Sequence, residues 1–327
     1  MEVVTKKRMM IFSGSSYPEL AREVADHLGM RVGEVKLDQF ANGEVYARFA
    51  ESVRGADAFV LQSHYTDADM SVNDYIIEQL IMIDALKRAS AKRIVAVVPY
   101  YGYSRSDKKT LSREPIAAKL IGDMFEVAGV DRVMSVDLHT GQIQGFFDDP
   151  FDHLTALPLL EQWIDENIPH EDRTVVSPDA GRVRLTEKFA GHLQSPIAIL
   201  HKRRDPSKHN VSESLEVIGD IEGRVAILVD DMIDTAGTIC GAAKLLKERG
   251  AKKVVACATH PVFSGPAVER LTGSEIEQVV VTNTLPIPAD KRFDKLVVLS
   301  IAPIIASALR AVFEDQSVSE IFRGENA

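Results

Sequence analysis

Val225-Ala226-Ile227-Leu228-Val229-Asp230-Asp231-Met232-Ile233-Asp234-Thr235-Ala236-Gly237-Thr238 places an apolar run, two adjacent carboxylates and a Thr/Gly-rich turn in that order. A short β-branched run that is apolar throughout, with no polar alternation, suits a strand covered on both faces of a parallel sheet. Beyond the turn, Ile239, Ala242, Ala243 and Leu246 recur at helical spacing. Strand, turn and helix in this order leave unpaired backbone amides and hydroxyls at a helix N-terminus, where a phosphate can be held. The carboxylates would repel that phosphate, so Asp230 and Asp231 are expected to serve hydroxyls or a Mg²⁺ ion on another part of the ligand. A strand end with Asp234 or Thr235 as an ordinary helix cap is the plainer reading, but capping does not need three acids beside Thr-Ala-Gly-Thr.

The same alternation extends outward in both directions. Strands are expected over residues 93–98, 132–136, 174–176, 197–200, 225–229, 254–258 and 278–281, with amphipathic helices between them. This pattern predicts an α/β fold with mostly parallel sheets flanked by helices. An internal echo points to two such domains. Ala117-Ala118-Lys119-Leu120 recurs as Ala242-Ala243-Lys244-Leu245, and in both halves a glycine (Gly129, Gly250) stands ten residues before a histidine (His139, His260). Each is read as a helix, a glycine cap, a strand and a histidine at the strand's end. The boundary is expected after Pro150, giving domains of 1–152 and 153–327, with the chain's end packing back on the first.

The chain has 327 residues, enough for two cores, and a formal net charge of -10. An acidic protein has no long-range attraction for nucleic acid, so phosphate must be held locally and small phosphorylated ligands are favoured over polymers. Cys240 and Cys257 lack metal-type spacing and read as buried thiols. The N-terminal residues do not read as a signal peptide, and the apolar tract 297–312 is interrupted by Ser300, Pro303, Ser307 and Arg310. No membrane association is expected, and the location is cytoplasmic by default.

Four further segments follow expected strands. Ser177-Pro178-Asp179-Ala180-Gly181-Arg182 offers a carboxylate for a metal and amides for a diphosphate, or is an ordinary turn with surface arginines. His201-Lys202-Arg203-Arg204 puts cations where they could face transferring phosphates, although charge runs are commonly just solvated. Asp137-Leu138-His139 offers a histidine that is structural or a ligand, and Mg²⁺ prefers oxygen. Tyr100 to Lys109 mixes aromatics and cations that could stack on and neutralise a nucleotide, or form an exposed basic loop. Earlier in the chain, Ser16 and Glu19 read as a capping box.

Taken together, these segments resemble the ribose-phosphate diphosphokinase family, the phosphoribosyl diphosphate (PRPP) synthetases. The likeness runs from about Met10 to Phe322 and rests on Phe40-Ala41-Asn42-Gly43-Glu44, Glu51-Ser52-Val53-Arg54-Gly55, Ile83 to Ala89, Asp137-Leu138-His139, Gln142 to Asp148, Lys202-Arg203-Arg204 and Asp230 to Thr238. The last motif alone is shared with many phosphoribosyltransferases, whereas the ordered set is specific. The resemblance implies two tandem phosphoribosyltransferase-like domains and transfer of the diphosphoryl group of MgATP to ribose 5-phosphate. Asp230, Asp231, Asp234, Thr235, Ala236, Gly237 and Thr238, with Arg204, would bind ribose 5-phosphate. Phe40, Asn42, Gly43, Glu44, Arg105 and Ser106 would bind ATP, in a site completed across a subunit interface. His139 and Asp179 would form the Mg²⁺ site, and Lys202 and Arg204 would be catalytic. Ser52, Arg54, Arg113, Ser317 and Ser319 match positions that take phosphate or ADP as effectors in related enzymes. The family assembles as hexamers built from dimers.

Two departures stand out. The usual Arg-Gln-Asp is Arg105-Ser106-Asp107, which removes a longer amide near the nucleotide, and the usual Asp-x-Gly-Gly is Asp179-Ala180-Gly181-Arg182, a variant that one branch of the family also shows. Arg182 would either add charge near the diphosphate or fold outward. Two other functions compete with the synthetase. A non-catalytic regulatory homologue would be expected to have a damaged loop or ribose site, and neither is damaged. A phosphoribosyltransferase would account for residues 230–238 but not for the N-terminal half.

Overall fold

The computed structural model describes residues 7–203 and 214–322. The chain divides into two compact units, residues 1–155 with 301–327, and residues 156–300. Strand and helix alternate in both.

In the first unit the elements are β1 (Met9–Ser13), α1 (Pro18–His27), β2 (Val35–Gln39), β3 (Val45–Phe49), β4 (Asp57–Leu61), α2 (Val72–Arg88), β5 (Arg93–Val98), α3 (Ala117–Ala128), β6 (Arg132–Val136) and β7 (Phe151–Leu154). Five of these strands form a parallel sheet in the order β1-β4-β5-β6-β7, while β2 and β3 form a separate antiparallel hairpin. The second unit contains α4 (Leu157–Asn167), β8 (Arg173–Ser177), α5 (Val183–His192), β9 (Ile197–Arg203), β10 (Ser214–Ile218), β11 (Val225–Ile233), α6 (Gly237–Glu248), β12 (Lys253–Pro261), α7 (Ala267–Thr272), β13 (Gln278–Thr282) and β14 (Leu296–Leu299). Its sheet runs β10-β9-β8-β11-β12-β13-β14, parallel except for β10, which pairs antiparallel with β9. The last helix, α8 (Ala302–Phe313), belongs to the first unit.

The apolar run of β11 shows why parallel strands read as continuous. Side chains alternate between faces, so Ala226 and Leu228 pack with Ile239, Ala242, Ala243 and Leu246 of α6. Val225, Ile227 and Val229 pack on the other face with Leu160, Trp163 and Phe189 of α4 and α5. Each fully buried Val, Leu or Ile contributes roughly 1.5–3 kcal/mol relative to exposure. Both faces must therefore be apolar, and no polar alternation survives in the sequence.

The helix ends follow local chemistry, with one correction. Gly129 closes α3 at φ +102°, and Gly250 follows α6 at φ +91°, so both glycines of the echo stand where a Cβ would be strained. The expected Ser16/Glu19 capping box does not form. Tyr17 is the N-cap of α1, and Ser16 instead accepts the Ser63 N–H on its Oγ while its own N–H donates to Gln62 Oε1. Two buried partners just past the end of β4 outcompete a local cap. A capping box does open α2, with Ser71 and Asp74 bonded reciprocally. Cys257 is buried, whereas Cys240 is only half-buried. Among the described residues, no helix is long and apolar enough to cross a membrane.

Candidate functional site

The end of β11 and the start of α6 build the strongest part of the site. The strand continues past Val229 through Ile233, leaving Asp231 buried and Asp230 partly exposed. The turn is held from behind by backbone bonds from Phe263 to the Ile233 carbonyl and from Ser264 to the Asp234 carbonyl, 3.0 Å each. Arg270 of α7 adds a 2.9 Å bond from Nη1 to the Thr235 carbonyl. Ala236 then takes a left-handed φ of +59° and serves as N-cap of α6 with no side-chain hydrogen bond. A non-glycine residue in that conformation is strained and persists only when its surroundings fix it. Here the strain turns the chain so that Thr235, Gly237 and Thr238 are exposed at the first turn of a twelve-residue helix. The first amides of a helix have no intrahelical partner and carry the positive end of its dipole. An anion fits there.

Asp230 and Asp231 sit at the edge of this cradle. Burial, with Asp231 beside it, raises the Asp230 carboxyl above its ordinary range, and the Arg182 guanidinium pulls it back. Arg182 resolves the alternative left open by the sequence, because it folds inward. Its Nε lies 2.9 Å from Asp230 Oδ1 and its Nη2 2.5 Å from Asp231 Oδ1. Asp179, in the same turn, caps its own 3₁₀ segment by accepting the N–H groups of Gly181 and Arg182 at 2.8 and 3.1 Å. Lys202 lies within β9 by its backbone, its side chain falls outside the described residues, and Arg204 falls outside them altogether.

The first unit brings a different set together. Phe40, Asn42, Gly43 and Glu44 form the exposed tip of the β2–β3 hairpin. Phe40 and Glu44 close it with a 2.8 Å backbone bond, and Asn42 Oδ1 accepts the Glu44 N–H. Gly43 sits at φ +88°, a conformation the turn requires of a residue without a Cβ. The Phe40 ring is 56% exposed and meets Tyr46 edge-on, so one face is available for stacking.

Arg105 is exposed on the loop after β5, and Ser106 is turned toward α3. Its Oγ accepts the Ala117 N–H at 3.3 Å and its carbonyl accepts the Ala118 N–H at 3.1 Å, so the serine closes the open end of that helix. The neighbouring Asp107 is buried and accepts from Thr140 Oγ1 and Gln142 Nε2, each at 2.7 Å. Those bonds tie the Arg105 loop to the turn carrying His139, which is half-buried. Asp137, two residues earlier, holds a left-handed φ of +35° as the chain leaves β6.

Ser52, Arg54, Arg113, Ser317 and Ser319 are all exposed. The adjacent Lys7 and Arg8 join two of these stretches: Lys7 bonds to the Phe313 carbonyl and Asp315, and Arg8 to the Ser52 carbonyl. Arg113 adopts φ +71° on a separate loop.

Arg270 and Asp107 were not singled out by the sequence reading. Arg270 lies more than thirty residues beyond the loop it supports, with no local motif to mark it. Asp107 stood inside a quoted segment, but only tertiary contact gives it the His139 turn as a partner.

A family model described as the N-terminal domain of ribose phosphate pyrophosphokinase matches residues 9–129, and one described as the phosphoribosyl synthetase-associated domain matches residues 205–323. The ribose-phosphate pyrophosphokinase of Streptomyces avermitilis is 55% identical over 317 residues, covering 97% of each chain. That of Mycobacterium tuberculosis is 54% identical over 321 residues, covering 98% of this chain and 97% of the other. The crystal structure of phosphoribosylpyrophosphate synthetase from Mycobacterium smegmatis superposes with a TM-score of 0.89 at 55% identity, over 94% of this chain and all of that one.

Proposed function

The chain belongs to the ribose-phosphate pyrophosphokinase family, and from that premise we infer that it transfers the diphosphoryl group of ATP to the C1 hydroxyl of ribose 5-phosphate, giving PRPP and AMP for nucleotide biosynthesis. The observation that supports this reading best is the open N-terminus of α6 beside Asp230 and Asp231, which pairs an anion site with two hydroxyl acceptors. The 5-phosphate lies on the amides and hydroxyls of residues 235–238, and the two carboxylates hold the ribose hydroxyls. This fixes C1 relative to the phosphate at the far end of the sugar. Phe40 stacks on adenine, and Asn42, Gly43, Glu44 and Arg105 hold the rest of the nucleotide.

The C1 oxygen attacks the β-phosphorus in line and AMP leaves through its bridging oxygen. Such a transfer depends on positioning and on spreading charge, with little need for a covalent intermediate. Lys202 and Arg204 offset charge on the transferring group.

Among the described residues, no group of three His, Cys, Asp or Glu side chains is poised to hold a metal. Mg²⁺ keeps several waters and needs only one or two protein ligands, so it would arrive on the substrate phosphates. His139 in the first unit and Asp179 in the second are each a candidate ligand for it. When bound, the ion shields phosphate charge and polarises the phosphoryl oxygens. A hexamer, effector binding of ADP and phosphate around Ser52, Arg54, Arg113, Ser317 and Ser319, and a cytoplasmic location belong to the same reading.

The test is incubation of the pure protein with ATP, Mg²⁺ and ribose 5-phosphate, with and without phosphate, followed by quantification of AMP and PRPP. Equal amounts of both establish the reaction. No AMP from a folded protein that still binds ATP would indicate a regulatory homologue, and diphosphate release that depends on a nucleobase would indicate a transferase.

A further inference from the structure

Position 182 carries an arginine where the more usual family pattern has glycine, and neither the nucleotide site nor the phosphate cradle accounts for it. Its backbone is fixed on both sides. The N–H donates to Asp179 Oδ1, and the carbonyl accepts Thr186 Oγ1 at 3.0 Å, which sets the first turn of α5. The side chain, 18% exposed, then reaches the end of β11, 2.9 Å from Asp230 Oδ1 and 2.5 Å from Asp231 Oδ1.

Successive residues of a strand point to opposite faces. Asp230 and Asp231 would therefore diverge unless something drew them together. A guanidinium is suited to that task, because its planar fork presents several donors in a fixed geometry and stays charged at any working pH. Here one fork takes an oxygen from each carboxylate. The Asp231 N–H also donates to Asp230 Oδ1 at 2.9 Å, so that oxygen is held by two donors. Two carboxylates beside an anion cradle would oppose a sugar phosphate, and one buried cation removes about half of that charge. Partial burial makes the effect larger than it would be in open water.

We propose that Arg182 is a positioning residue for the sugar phosphate: it draws the Asp230 and Asp231 carboxylates together, offsets one of their charges, and so presents them as hydroxyl acceptors before any nucleotide or metal arrives. This rests on the assignment of ribose 5-phosphate to the Asp230–Asp231 end of β11. It also specifies the ligand class, a phosphorylated sugar with adjacent free hydroxyls. A sugar phosphate lacking those hydroxyls gains nothing from the arginine.

The experiment is calorimetric titration of the full chain with ribose 5-phosphate in EDTA, for the native protein, Arg182→Gly and Arg182→Lys. It is paired with steady-state kinetics in Mg²⁺. Arg182→Gly is expected to weaken metal-free binding by about tenfold, the scale of one charge-assisted hydrogen bond. Arg182→Lys, which keeps the charge but loses the fork, falls between the two. The KM for ribose 5-phosphate rises more than kcat falls, and the KM for ATP does not follow.

Unchanged binding in Arg182→Gly overturns the proposal. So does tighter binding, which would make the arginine a plug that the sugar must displace. Equal losses in kcat and in both KM values, with no partial rescue by lysine, would also overturn it by marking a purely structural role. Should Arg182→Gly unfold, Arg182→Gln replaces it, with weakened binding supporting the proposal and unchanged binding overturning it. A native protein that neither binds ribose 5-phosphate nor releases AMP would instead overturn the reaction itself. Native activity with an indifferent Arg182→Gly overturns only the role of this residue.

Discussion

The two units repeat a helix, a glycine and a strand, yet they treat the histidine that follows in opposite ways. In the first, β6 stops at Val136, Asp137 bends the chain at φ +35°, and His139 stands half-buried in a turn braced by Asp107. In the second, β12 runs on through His260, which is buried and lies 2.9 Å from Thr284 Oγ1 through its Nδ1. The cause is the neighbouring strand. β11 extends to Ile233 and pairs Met232 with His260, whereas the pairing of β6 with β7 ends at Val136 and Leu154. Identical spacing in sequence thus yields a half-buried group on a turn in one unit and a buried packing group in the other. The long strand pair carries the Asp234–Ala236 turn that opens α6.

The largest expected effect tests the second unit as the seat of catalysis. Lys202→Ala should lower kcat by about 10²–10³-fold, the usual loss for removing a charge-stabilising donor. Normal turnover in the Lys202→Ala, Arg204→Ala double variant would remove the β9 loop from the mechanism.

Acid should act on the first unit. His64 is fully buried, with Nδ1 accepting the Gly102 N–H and Nε2 bonded to Gln79, and burial lowers its pKa from 6.5 to about 4. A depressed folded pKa means that the unfolded chain takes up the proton first, so stability is retained above pH 6.5 and lost as pH falls toward 4. The loss across that window is about 3 kcal/mol. It should be visible as a falling unfolding midpoint or faster amide exchange in residues 7–155, with a flatter profile in His64→Gln. An identical profile in that variant would assign the acid sensitivity elsewhere.

The two histidines should then separate under mutation. His139→Ala is expected to reduce activity by about 10–100-fold with little change in unfolding midpoint. His260→Ala should cost about 2 kcal/mol of stability, by leaving a cavity and removing the hydrogen bond to Thr284, while activity per folded molecule is kept. Reversal of these two outcomes would break the comparison. A smaller effect is expected at Arg270, whose replacement by alanine frees the Thr235 carbonyl. The KM for ribose 5-phosphate should rise roughly fivefold while that for ATP stays constant.

Sequence periodicity located part of each main sheet. The strands expected at 93–98 and 132–136 coincide with β5 and β6, and the run at 225–229 falls inside the longer β11. Strands β1, β2, β3, β4, β7, β10 and β14 lay outside the expected set: exposure weakens the apolar signal of the β2–β3 hairpin, whereas β1 and β4 are buried and exposure does not account for them. Ser16 differs for another reason: its capping pattern is local, but its partners, Gln62 and Ser63, come from the segment after β4.

By itself the sequence determined the alternating α/β architecture, the phosphate-type turn at residues 234–238 and the ordered motifs that mark the family. These are legible because they depend on nearest neighbours, through side-chain alternation, helical spacing and glycine at positive φ. Only tertiary structure decided that Arg182 turns onto Asp230 and Asp231, that Ser106 closes α3, that Asp107 braces the His139 turn, and that His260 is buried. Each of those outcomes depends on which distant strand or loop lies opposite. A side chain capable of several bonds takes the one that burial leaves within reach.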